Sequence, residues 1–174
     1  MSHASPCARQ LVAVAFAWVL AAACHNGTEP NANGTYSATV TGVVNASFSG
    51  TATFVVNATE LGLGMTPSGD GWVLGFFALP RVRPDAGATF EIVPNTSSRP
   101  IAPNAYVTAT EFFVGGNRFW TSTSGELRIT ASSPDRLGGT FHFTAQSSGA
   151  GSIPGEVTIT GTFEAVCRGV FVSC

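Results

Sequence analysis

Strict two-residue alternation between Ser124 and Val166 constrains this chain more than any other feature of its sequence. In Glu126–Ala131, residues Leu127, Ile129 and Ala131 fall on one face, opposite Glu126, Arg128 and Thr130. In Thr140–Gln146, residues Phe141, Phe143 and Ala145 oppose Thr140, His142, Thr144 and Gln146. In Glu156–Val166, residues Val157, Ile159, Gly161, Phe163 and Ala165 oppose Glu156, Thr158, Thr160, Thr162 and Glu164. A period of two places successive side chains on opposite faces, so each run reads as a strand with one face on a core and one in water.

Upstream, Thr35–Thr41 alternates in the same way, and Ala46–Val56 carries Phe48, Ala52, Phe54 and Val56 on one side. Gly62–Gly71 is a glycine-rich connection into Trp72–Leu79, a run apolar on both faces that reads as a central strand covered on each side. Ala88–Val93 is a short strand with Phe90 and Ile92 inward, and Pro94–Asn104 is a loop. Ala105–Val114 and Asn117–Thr123 form a pair broken at Gly115-Gly116. Ser124-Gly125 sits where a tight hairpin turn belongs; it would set Thr123 opposite Glu126 and Trp120 opposite Ile129, with Trp120 in the core and Phe119 outside. The fold class is therefore all-β. The expected architecture is an antiparallel two-sheet β-sandwich of about nine or ten strands, with a closed antiparallel β-barrel as the alternative. Trp120, Ile129, Phe141, Phe143, Ile159 and Phe163 are expected to share its core.

The N-terminus has a different character. Leu11–Ala23 is an unbroken apolar run of thirteen residues, short of the roughly 20 that a spanning helix needs. With Arg9 before it and Ala21-Ala22-Ala23 at its end, it reads as a helical secretory signal peptide over residues 1–23. The three alanines suit ordinary signal peptidase. Followed by Cys24 they also resemble a bacterial lipobox, in which Cys24 receives lipid; the Leu usual three residues before the cysteine stands one position earlier, at Leu20. Lipidation of Cys24 is the preferred reading. Residues 24–33 then form a flexible lipid-anchored tether, and 34–174 form one domain. This places the protein in the bacterial cell envelope, attached to a membrane through its lipid.

Cys7 leaves with the signal peptide and Cys24 is taken by lipid. Cys167 and Cys174 remain, in a compartment that oxidises thiols, and an intramolecular disulfide between them is expected. Gly169 allows the turn this needs. If the strand simply ran on through Cys174, the two Cα atoms would be about 23 Å apart and could not be bridged.

Few residues offer chemistry. Charged residues are 10% of the chain and the net charge is −2, so no nucleic-acid partner is expected. His142 lies on the polar face of its strand and has no nucleophile elbow to serve. Glu126, Glu156 and Glu164 face outward, where carboxylates are cheaply solvated, rather than as a glycosidase pair. Asp70 and Asp85 are isolated turn acids, not a calcium loop. Asp135-Arg136 reads as an ion pair pinning a hairpin loop. No metal site, phosphate-cradling loop or cofactor is expected, and the chain reads as no enzyme. Asn26, Asn33, Asn45, Asn57 and Asn95 each start an N-x-S/T triplet, which behind a bacterial signal reflects Asn and Thr richness in strands and turns. The aromatics Trp72, Phe76, Phe77, Phe112, Phe113, Phe119 and Trp120 are dense; core packing accounts for most, and any that cluster outside would bind sugar or peptide, or dock a partner.

Gly125, Leu127, Ile129 and Thr130, then Asp135-Arg136-Leu137 with Gly139, Phe141, Phe143 and Ala145, then Val157 through Gly161 with Phe163, resemble a family of uncharacterised bacterial lipoproteins. Its pattern is G-x-L-x-I-T, D-R-L-x-G-x-F-x-F-x-A and V-T-I-T-G-x-F. The resemblance implies a β-sandwich on the cell envelope and brings no catalytic residues. The functional expectation is a non-enzymatic binding or structural module of unknown ligand. The alternatives are a carrier enclosing an apolar ligand and, last, a hydrolase.

Overall fold

A computed structural model describes residues 33–57, 60–94, 104–113, 116–148 and 153–168. Nine strands form from the alternating runs: β1 Gly34–Gly42, β2 Ala46–Val56, β3 Leu61–Pro67, β4 Gly71–Leu79, β5 Thr89–Ile92, β6 Tyr106–Phe113, β7 Gly116–Ser132, β8 Arg136–Ser148 and β9 Glu156–Cys167. The signal peptide, Cys24, the tether up to Ala32 and Cys174 lie outside the described residues.

The sandwich expectation is overturned, and the barrel stands in its place. Strand β1 pairs antiparallel with β2 on one side and β9 on the other; β9 pairs with β8, β8 with β7, β7 with β6, β6 with β4, β4 with β3 and β3 with β2. Every ladder finds its next neighbour, so the sheet closes on itself as eight antiparallel strands and the two open sheets of a sandwich never form. Closure removes free edges from a surface too poor in charge to protect them otherwise.

The ninth strand, β5, pairs with the lower half of β7, Thr89 opposite Arg128 and Ile92 opposite Gly125, below the point where β6 leaves it. Ser122, 1% exposed, joins the two neighbours of β7: its Oγ donates to the carbonyl of Val93 at 2.9 Å and accepts from the amide of Val107 at 3.0 Å.

An eight-stranded barrel has an interior just wide enough for side chains to fill. Here rings meet across it. Tyr36 on β1 donates to the backbone oxygen of Trp72 on β4 at 2.9 Å, and burial pushes its phenol well above the ordinary range. Phe76 on β4 meets Phe141 and Phe143 on β8 at 5.4 and 6.0 Å between ring centroids. Trp72 meets Trp120 on β7 at 5.3 Å. All six residues expected in the core are buried. The outer faces of β1, β8 and β9 carry Thr, Ser, Gln and Glu instead, the reverse of a barrel whose outer wall meets lipid.

Three local expectations fail. Ser124-Gly125 is no turn: β7 runs through it with β8 alongside, Ser122 opposite Ala145 and Ser124 opposite Thr144. The extra residue there is a bulge, and Gly125, at φ 152°, takes a conformation side chains disfavour. The bulge shifts side-chain parity by one, which is why Trp120 and Ile129 both point inward although they lie an odd number of residues apart; Phe119 stays outside. Gly62–Gly71 is not a plain connection either, because β3 begins at Leu61 and runs to Pro67. Lastly, β4 is covered on its inner face only: Trp72, Leu74 and Phe76 are buried, whereas Val73, Gly75 and Phe77 on the outer wall are half-buried.

Candidate binding face

The titratable residues are dispersed. On the outer wall Glu126 stands opposite His142, Glu156 opposite Gln146, and Glu164 opposite Gly138. These rows are four residues apart along β8, about 13 Å, well beyond the roughly 5–9.5 Å that a pair of glycosidase carboxylates spans. Glu164 is held by Arg136 Nη1 at 2.7 Å. That contact displaces the expected Asp135–Arg136 pairing: Asp135 instead accepts from Ser133 Oγ at 2.9 Å, and its carbonyl accepts from the amide of Cys167. Asp70 and Asp85 sit in separate exposed turns. Among the described residues no group of three His, Cys, Asp or Glu could hold a metal ion.

One ion pair faces inward. Glu111 on β6 and Arg118 on β7, neighbours across the ladder near the upper mouth, approach at 3.3 Å. Trp120 Nε1, nearby and buried, has no hydrogen-bond partner among the described residues.

The aromatic set divides by face. Trp72, Phe76 and Trp120 are interior. Phe119 is 52% exposed, and the side chains of Phe112 and Phe113 lie outside the description. Phe77 is on the outer wall, where it stacks on Tyr106 of β6, its cross-strand partner, with centroids 5.2 Å apart and planes 20° apart. Gly75 makes room for this: a Cβ there would meet the Phe77 ring at 2.7 Å.

Tyr106 covers one face of the Phe77 ring. The strand on the other side of β4 is β3, whose outward positions are Gly62 and Gly64. Beyond them, on β2, stand Val55 opposite Gly62 and Thr53 opposite Gly64. The outer wall here thus runs from the stacked pair on β4 and β6 across the two glycines of β3 to Val55 and Thr53 on β2. A Cβ on Gly62 would lie 3.7 Å from Val55, and one on Gly64 4.0 Å from Thr53, so among the described residues no contact requires glycine at either place.

Sequence reading found Phe77 but missed Tyr106 and the two glycines. The available signal was Leu61, Leu63 and Met65 alternating with Gly62, Gly64 and Thr66: a strand whose outward residues happen to be glycine.

Two shallow depressions of about 450 and 460 Å³ lie over β1 and β9, the first reaching Ser47, Phe48 and Ser49 of β2. Their hydroxyls already engage one another, Ser37 with Thr162 at 3.2 Å and Thr39 with Ser47 at 3.4 Å, which leaves less for a ligand. No protein-family model, curated protein or solved structure matches the chain.

Proposed function

We propose that this is a lipid-anchored module of the bacterial cell envelope that binds a ligand on its outer barrel wall and catalyses nothing. The observation that carries the reading is the partly buried Phe77–Tyr106 stack on the outer wall, next to the outward glycines of β3. Rings from opposite walls meeting in the lumen favour this over a carrier with an enclosed ligand. The dispersal of Glu126, Glu156 and Glu164 disfavours a hydrolase. The run Leu11–Ala23 ending at Cys24 supports anchorage, as does the likeness to envelope lipoproteins in the last three strands. A disulfide between Cys167 and Cys174 belongs to the same reading, since an exported chain meets oxidising conditions.

Fractionation tests the anchor. Wild-type protein is expected in the membrane fraction with a lipid-modified Cys24 by mass spectrometry, and Cys24→Ser in the soluble fraction. Wild type that is soluble and unlipidated would overturn the reading.

A further inference from the structure

We propose that the β4–β5 loop, with Val82 at its tip, is a second membrane contact that seats the lower mouth of the barrel on a phospholipid surface. This rests on the reading of the chain as lipid-anchored.

The point of entry comes first. The lower mouth is the end where β1 starts and where β4 and β9 finish. The tether meets the barrel there at Asn33, whose side-chain oxygen accepts from Arg168, just past β9. Gly34 is held flush between β2 and β9: a Cβ on it would meet the carbonyl oxygens of Ala52 and Glu164 at 2.3 Å each. No slack remains beyond Asn33. Cys24 lies nine residues before it, a span of at most about 30 Å, and about 17 Å for a flexible chain. A lipid on Cys24 therefore keeps this mouth close to the bilayer.

The loop comes second. Residues 80–87 cross the same mouth from the end of β4 to Gly87, whose amide donates to the carbonyl of Ile129 at 2.8 Å. Val82 is 77% exposed, more than any other large apolar side chain among the described residues. Pro80 and Pro84 bracket it, and Pro84 is buried. Each proline fixes its own φ and restricts the residue before it, so the tip is held out rather than folded back. Val82 stands alone between Arg81 and Arg83. A protein-docking patch spans a few hundred Å² of contiguous apolar surface, which one valine does not supply. A bilayer interface needs only an apolar tip, with arginines whose stems lie on apolar surface while their heads stay at the phosphates.

Charge comes third. Among the described residues, Arg81, Arg83, Arg136 and Arg168 lie at the lower mouth. Glu60, Asp85, Asp135 and Glu164 balance them. The upper mouth carries Asp70 and Glu156 beside the paired Glu111 and Arg118, so it is net negative. An anionic bilayer surface repels the upper mouth and leaves the lower one free to approach.

The test reconstitutes the lipidated protein in vesicles of phosphatidylethanolamine and phosphatidylglycerol with brominated acyl chains. Two variants place the same reporter at opposite mouths: Val82→Trp in the loop, and Ile153→Trp just before β9. Both positions are exposed, so neither substitution reaches the core. Tryptophan favours a membrane interface wherever it is placed, so the difference between the two reads geometry. With the signal of the buried Trp72 and Trp120 subtracted, bromine should quench Val82→Trp about threefold or more over Ile153→Trp. Adding Arg81→Glu to Val82→Trp should cut that quenching about twofold or more. Equal quenching at the two mouths, or more at Ile153→Trp, overturns the inference and leaves the anchor standing. A Cys24 without lipid by mass spectrometry overturns both.

Discussion

Gly139 on β8 faces Phe163 on β9 and Ile129 on β7 inside the barrel. A Cβ placed there would meet Cε1 and Cζ of Phe163 at 2.6 Å each, and would press on the carbonyl oxygen of Arg128. Ordinary carbon contact needs about 3.5–4.0 Å, so the Phe163 ring must retreat by about 1 Å. It is 5% exposed and packed in the core, with little room to retreat. Gly139→Ala should therefore cost about 2–3 kcal/mol, at the upper end for one added methyl group in a filled interior. Phe163→Leu, which removes the far edge of the ring, should cost about 1–1.5 kcal/mol alone. In the double variant the leucine leaves space that the alanine methyl needs, so its cost should fall below the sum by about 0.5 kcal/mol or more. The share due to the Arg128 carbonyl stays, so the rescue is partial. Urea unfolding followed by the fluorescence of the buried Trp72 and Trp120 measures all three variants. A Gly139→Ala cost under about 0.5 kcal/mol, or additivity within about 0.3 kcal/mol, would show that the ring does not occupy the space assigned to it.

Tyr36 makes stability fall at alkaline pH. Its phenol is held above the ordinary value of about 10 by burial, so as pH rises the unfolded chain loses the proton first and the native state binds more protons. Stability is full below about pH 10 and declines above it. Tyr36→Phe should lose about 1 kcal/mol at neutral pH with the bond to Trp72, yet show a shallower alkaline decline; parallel urea profiles would refute this. For Cys167 and Cys174, alkylation of the protein without reductant should label neither; two labelled thiols in the monomer would rule out the bridge.

Strands were legible wherever apolar residues alternated with polar ones, because one face must leave water and the other need not. Phe141, Phe143, Ile159 and Phe163 were assigned to the core on that ground, and all are buried. The glycines were not legible as they stood. Gly125 read as a turn residue and Gly161 as one more inward strand position, whereas the register sets Gly125, Gly139 and Gly161 each opposite a phenylalanine: Phe143, Phe163 and Phe141 respectively. The recurring glycine–phenylalanine spacing of the last three strands is a steric code for a narrow lumen, large against small. It is written between strands, so a pass along one strand cannot read it. The same blindness hid the outward row of β3, which consists largely of absent side chains. Sandwich and barrel were indistinguishable for a related reason: closure depends on β1 meeting β9, a pairing of the first strand with the last that no local pattern announces.

That last pairing governs how the molecule must come into being. A chain made from its N-terminus delivers β1 first and β9 at the end, and β9 is the stave inserted between β1 and β8. Until residue 167 has emerged, β1 and β8 both present bare backbone along their lengths, and the lumen rings lack a wall. Closure cannot keep pace with synthesis; it waits for the finish. Loss of β9, Glu156–Cys167, would therefore leave an open, adhesive ribbon rather than a slightly shorter barrel.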